Sequence, residues 1–133
     1  MAWSFETLGN ASIQIAREDQ PILVTDPWLS GTAYFGSWAL EEALTPRQTE
    51  RMLASPFAWF SHGHPDHLHI PSAERLDRRT EILLPDHYCA EMRDWFAANG
   101  FRTRGAAVQA MGPSWRPGCA SCVCTTRIST PSW

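Results

Sequence analysis

His62, His64, Asp66 and His67 place three imidazoles and a carboxylate within six consecutive residues of the run Ser61-His62-Gly63-His64-Pro65-Asp66-His67-Leu68-His69. Neutral imidazole is the commonest protein ligand for zinc and related metals, and carboxylate is its usual hard partner. His62 and His64, two apart, can turn their rings toward a common point, whereas Asp66 and His67 are adjacent and tend to diverge. One tetrahedral ion taking all four ligands is awkward. Two neighbouring ions, each taking two, fit more easily, and such a pair can activate a water and polarise a carbonyl or phosphoryl group. Asp66 is then also a candidate catalytic residue, orienting the nucleophile or moving a proton. A polar surface loop is the bland alternative, but a strand and a helix bracketing the cluster argue against it.

The elements that hold this loop can be read from the flanking residues. Ala2–Leu8 and Ala11–Ala16 read as strands, joined through the polar turn Arg17–Pro21 to a third at Ile22–Thr25, which ends at Asp26. Residues 27–44 read as a long irregular stretch rich in Gly and aromatics. Thr45-Pro46-Arg47-Gln48 is a helix start with a capping box, and that helix stops near Ser55, before Pro56. Phe57–Phe60 reads as a buried strand feeding the His loop, with Gly63 supplying unusual backbone angles and Pro65 stiffening the next step. A helix over 72–79 and a strand over 81–84 follow. A third helix, capped by Asp86, carries Tyr88, Met92, Trp95 and Phe96 on one stripe and stops at Asn99-Gly100. Strands first, then alternating helix and strand, indicate a mixed α/β sandwich.

At 133 residues the chain is one domain at most, and its formal charge of −3 gives no basic footprint for nucleic acid. No apolar run reaches the roughly 20 residues that span a bilayer, and the N-terminus lacks the pattern of a signal peptide, so a cytoplasmic location is expected. All 14 acidic residues lie at or before Asp94. From Gly105 to Trp133 there is no acid and no sustained period, and three of the four cysteines fall there. Residues 105–133 therefore read as an atypical tail, frame-shifted or disordered, behind a domain at 1–104. Cys119, Cys122 and Cys124 lack a fourth ligand and do not make a zinc or redox motif by themselves.

His62-Gly63-His64-Pro65-Asp66-His67 resembles the His-x-His-x-Asp-His signature of the metallo-β-lactamase-fold hydrolases. Leu8-Gly9-Asn10-Ala11-Ser12 and Leu23-Val24-Thr25-Asp26-Pro27-Trp28-Leu29 resemble two earlier landmarks of that superfamily. Asp-Pro-Trp-Leu followed by Gly31 and Trp38 is most similar to a subgroup. It holds ascorbate-6-phosphate lactonase-like, N-acyl-phosphatidylethanolamine phospholipase D-like and CMP-N-acetylneuraminate hydroxylase-like proteins. The resemblance covers roughly residues 3–104 and implies the N-terminal half of an αββα sandwich. It also implies two divalent metals, zinc with manganese or iron as alternatives. His62 and His64 would bind the first, Asp66 and His67 the second, with Asp26 orienting the loop from behind or merely capping its strand.

The implied reaction is attack of a metal hydroxide on an ester, lactone or phosphodiester of a small molecule: a sugar phosphate, lipid or nucleotide sugar. Family members add a further His for each metal and usually a bridging Asp from their second half, but no His or Asp follows residue 104 here. Weak or absent catalysis is the expectation. The alternatives are a noncatalytic fragment with a labile metal site, or a site completed by a second chain. His69 and His87 match no ligand position. Trp28, Tyr34, Phe35 and Trp38 either line a substrate mouth or pack on the sheet.

Overall fold

The computed structural model describes residues 2–85 and 90–106. Six strands form one mixed sheet: β1 (Trp3–Thr7), β2 (Ile13–Arg17), β3 (Gln20–Thr25), then β6 (Phe57–Trp59), β7 (Glu81–Pro85) and β8 (Arg102–Ala106), in that spatial order. β4 (Thr32–Ala33) and β5 (Trp38–Ala39) make a separate two-stranded ladder around a 3₁₀ turn at Tyr34–Gly36. The first three strands pair antiparallel through tight hairpins, whereas β3, β6, β7 and β8 run parallel. Parallel neighbours need crossovers. These are α1 (Pro46–Leu53), α2 (Ile70–Ala73) and α3 (Ala90–Ala98) with their flanking loops.

Sequence and structure agree closely on β1, β2, β3, β6 and β7, whereas β4 and β5 form a short ladder inside the stretch 27–44 that read as irregular. The β2–β3 turn is tighter than expected: Glu18 and Asp19 both adopt left-handed angles, φ 50° and 63°, as a two-residue hairpin with right-handed twist requires. Pro21 thus falls inside β3, where a register irregularity at Ile15/Ala16 accommodates it. Thr45 and Gln48 close the expected capping box on α1. The second helix differs from expectation. It begins at Ile70 and lasts one turn, because Arg78 Nη1 donates to the carbonyls of Glu74 and Leu76 and Asp77 Oδ1 accepts from Arg79 N at 2.8 Å, replacing helical bonds. α3 buries Met92 and Phe96 and ends at Gly100, φ +81°. The expected cap at Asp86, together with Tyr88 and His87, lies outside the described residues, as do Cys119, Cys122 and Cys124. β8, which was not foreseen, runs to Ala106, two residues past 104.

Alternation along the strands divides the sheet into two unlike faces. Val24, Ala58, Ile82 and Leu84 meet Met52 of α1 and Met92 and Phe96 of α3 in one core. The opposite face carries the rows Phe5–Ile15–Leu23–Phe57 and Ile13–Thr25–Trp59–Leu83. Phe5 is 70% and Trp3 55% exposed at its β1 edge. Helices cover one side of this sheet. Among the described residues the only other sheet is the β4–β5 ladder.

Candidate metal centre

The His loop starts where β6 ends, beside the end of its parallel neighbour β3, and Asp26 ties the two together. Its backbone N–H donates to Trp59 O at 2.7 Å, extending the ladder by one bond. The residue is 4% exposed, and its carboxylate accepts three bonds: Ser61 N on Oδ1 at 2.7 Å, Ser61 Oγ on Oδ2 at 2.7 Å, and His67 Nδ1 on Oδ2 at 2.8 Å. Asp26 sits at φ 37°, a left-handed conformation that Asp tolerates better than most residues. Ser12 Oγ donates to its carbonyl at 2.7 Å and steadies that turn.

A His Nδ1–H held by a carboxylate fixes the tautomer and turns the Nε2 lone pair outward. His67 Nε2 then lies 3.4 Å from Asp66 Oδ2. Two ligands at about 2.0–2.1 Å from a tetrahedral zinc are separated by about 3.3 Å, so this pair has the spacing of one edge of such a shell. His62 Nε2 and His64 Nδ1 form the second pair: they share a hydrogen bond at 2.9 Å, shorter than that edge, so its proton must leave and the rings part before both nitrogens face one ion, and His62 Nδ1 lies 2.9 Å from Ser61 Oγ. The rings of His62 and His67 are 4.0 Å apart between centroids, so the two pairs adjoin. Burial, and then the charges of His67 and His64, push the His62 pKa down and favour the neutral form that binds cations.

Asp66 is 5% exposed. Burial alone pushes its carboxyl upward, but Tyr34 Oη donating at 2.6 Å, a backbone N–H, the His67 charge and the Asn10 amide outweigh it and hold the group below the usual carboxylate range. Asn10 Nδ2 donates to Asp66 O at 2.8 Å. Tyr34 and Asn10 are contacts to the site that the spacing of the His motif does not announce. Asn10 belongs to a recognisable landmark, but Tyr34 sits in the stretch that read as irregular.

The donors thus meet in twos. Among the described residues no three His, Cys, Asp or Glu side chains converge to hold one ion. His69 is not a third donor: it is 4% exposed, with Nδ1 2.7 Å from Ser72 Oγ and Nε2 3.3 Å from Thr32 O, stacked near Trp28. Gly63 does not use left-handed angles, and a Cβ there would meet Met92 at 3.9 Å. Trp28 and Trp38 line a groove of about 360 Å³ with Leu8, Asn10 and Leu40, whereas Phe35 projects fully into solvent.

No family model matches the chain. Residues of this chain are 36% identical over 70 positions to cytidine monophosphate-N-acetylneuraminic acid hydroxylase of Asterias rubens, covering 53% of this chain and 11% of that protein. The Sus scrofa protein of the same name is 34% identical over 63 positions, covering 47% and 14%. The chain therefore spans about a tenth of the curated relatives it matches. Among solved structures, a possible metal-dependent hydrolase from Veillonella parvula superposes with a TM-score of 0.58 at 14% identity, over 79% of this chain and 42% of that one. An isothiocyanate hydrolase from Delia radicum gut bacteria superposes with 0.53 at 15% identity, over 77% and 41%. These matches support the metallo-β-lactamase-like resemblance of the N-terminal half, and the mixed sheet with its helices makes the fold α/β. Among the described residues no helix is long and apolar enough to cross a membrane.

Proposed function

We propose that His62, His64, Asp66 and His67 are the N-terminal half of a dinuclear metal site serving hydrolysis of an ester, lactone or phosphodiester in a small molecule. The observation that carries this reading is the pairing of donors, His62 with His64 at 2.9 Å and Asp66 with His67 at 3.4 Å. Carboxylate-backed His67 and neutral imidazoles suit zinc, with manganese or iron as the other borderline candidates. When bound, such ions supply Lewis-acid polarisation and an activated water. The chain's own contribution is positional: Asp26 fixes the His67 tautomer, Ser61 holds His62, and Asp66 presents Oδ2 beside His67. Sugar phosphates, lipids and nucleotide sugars are the substrate classes that the subgroup resemblance brings.

With two donors per ion, the bound metals are held weakly and turnover is weak or absent. This second reading, a labile noncatalytic half-site or one completed by another chain, is favoured by the lack of any three-donor group among the described residues. Titration of the purified protein with zinc, read by metal analysis after size-exclusion chromatography, separates the cases. Weak zinc binding abolished in His62→Ala and His67→Ala supports the half-site. Two tightly held equivalents on a monomer, with turnover of a phosphodiester or lactone, would overturn the expected inactivity. No binding at any concentration would remove the metal reading itself.

A further inference from the structure

Tyr34 lies at the tip of the β4–β5 hairpin, whose ladder is only Thr32↔Ala39 and Ala33↔Trp38. So short a hairpin is marginal without tertiary anchorage. Its turn is also strained: Tyr34 and Phe35 are consecutive left-handed residues, φ 48° and 57°, and neither is glycine. That conformation turns the Tyr34 ring inward, edge-on to Trp38 at 5.4 Å, and throws Phe35 into solvent. Ser37 Oγ donates to Tyr34 O at 2.6 Å and braces the turn locally. Beyond the hairpin, its base is held by His69 Nε2 at 3.3 Å from Thr32 O, and its tip by Tyr34 Oη, which donates to Asp66 Oδ1 at 2.6 Å.

We propose that Tyr34 is a positioning residue: it latches the 32–39 hairpin onto Asp66 and, by occupying Oδ1, fixes Oδ2 as the oxygen turned toward His67. Asn10 holds the same residue from the other side, through Asp66 O at 2.8 Å and Oδ2 at 3.4 Å. The consequence for metal rests on the ligand role given to Asp66 above, but the latch itself does not. If a closed hairpin presets Asp66 for a cation, a cation at Asp66 must favour the closed hairpin by the same factor.

Limited chymotrypsin digestion of the metal-free full chain, with cleavage after Phe35 followed by mass spectrometry, tests the latch. Cleavage needs the hairpin to open. Losing a hydrogen bond to a charged acceptor raises the open population by roughly tenfold or more, so Tyr34→Phe and Asp66→Ala should each accelerate this cut by about that factor. The double variant should be no faster than either single one, since both remove one interaction. Cleavage after the buried Phe60 should remain slow in all of them. Equal rates in wild type and Tyr34→Phe, multiplicative effects in the double variant, or parallel acceleration at Phe60 would each overturn the proposal. Excess zinc should slow the cut in wild type more than in Tyr34→Phe. If zinc changes neither while the variants still open faster, the latch stands and the metal reading fails.

Discussion

Replacing Asp26 by Asn changes a single atom type in a buried cluster and should disable His67 without moving it. Asp26 accepts from Ser61 N, Ser61 Oγ and His67 Nδ1 at 2.7, 2.7 and 2.8 Å. An amide retains one acceptor, which can stay on Ser61 N. Its NH2 then faces Ser61 Oγ and His67 Nδ1. Ser61 can turn its proton toward His62 Nδ1, 2.9 Å away, and accept instead. His67 can accept only by moving its proton to Nε2, the atom 3.4 Å from Asp66 Oδ2. Three charge-assisted bonds of about 1.5–3 kcal/mol become neutral ones of about 0.5–1.5 kcal/mol, a loss of about 3–4 kcal/mol in stability. The backbone is not at issue, since Asn tolerates the φ of 37° at least as well as Asp. A proton on Nε2 must be displaced before a cation binds, and loss of such a carboxylate backing typically lowers metal affinity about 10–100-fold. Nitrogen-15 two-bond correlation spectra of the metal-free protein report the tautomer directly, and competition with a chromophoric chelator reports zinc affinity. A His67 proton still on Nδ1 in Asp26→Asn, or unchanged affinity with the proton on Nε2, would refute the reasoning.

The remaining predictions concern the scaffold. Burial lowers the His69 pKa from 6.5, so this neutral imidazole contributes stability that is fully present above pH 6.5 and is lost as pH falls through the lower folded value. His69→Gln should flatten that acid limb of a urea-denaturation series and lower the neutral-pH midpoint, by way of the lost Ser72 contact; an unchanged slope would show that His69 titrates as if exposed. Phe5, 70% exposed on the face that no helix of the described residues covers, should bind a hydrophobic dye in the native protein. Phe5→Lys should reduce dye binding and concentration-dependent light scattering with less than about 1 kcal/mol change in stability.

Much of this was readable in the sequence because it depends on local chemistry. The capping box at Thr45–Gln48, the apolar stripe of α3 and the left-handed stop at Gly100 depend on neighbours in sequence, and each is present where described. His62 and His64 meet as their spacing allows. Asp66 and His67, adjacent and expected to diverge, are instead brought to 3.4 Å, because Asp26 turns the His67 ring and Tyr34 and Asn10 hold the Asp66 carboxylate, contacts distant in sequence. Tyr34 was not readable as an Asp66 partner. Its contact spans 32 positions, and it depends on two left-handed residues that carry no glycine signal. The length of α2 was missed for a related reason: Arg78 and Asp77 satisfy backbone groups from their side chains, and periodicity does not register such caps.

The position of the centre follows from the sheet. β3 and β6 are the junction where the antiparallel hairpins give way to parallel crossovers, with Thr25 opposite Trp59. One residue past that last pair, Asp26 N still bonds Trp59 O, and two residues past it Ser61 N returns a bond to the Asp26 side chain. The ladder therefore changes from backbone–backbone to backbone–carboxylate where the ligand loop begins. The carboxylate that continues the sheet also receives His67 Nδ1, so sheet register and imidazole orientation are set by one buried group. The precision with which Asp66 and His67 are placed, 3.4 Å apart, therefore comes from β3 and β6. Among the described residues no third donor joins either pair, while the orientation of His67 is already fixed by Asp26.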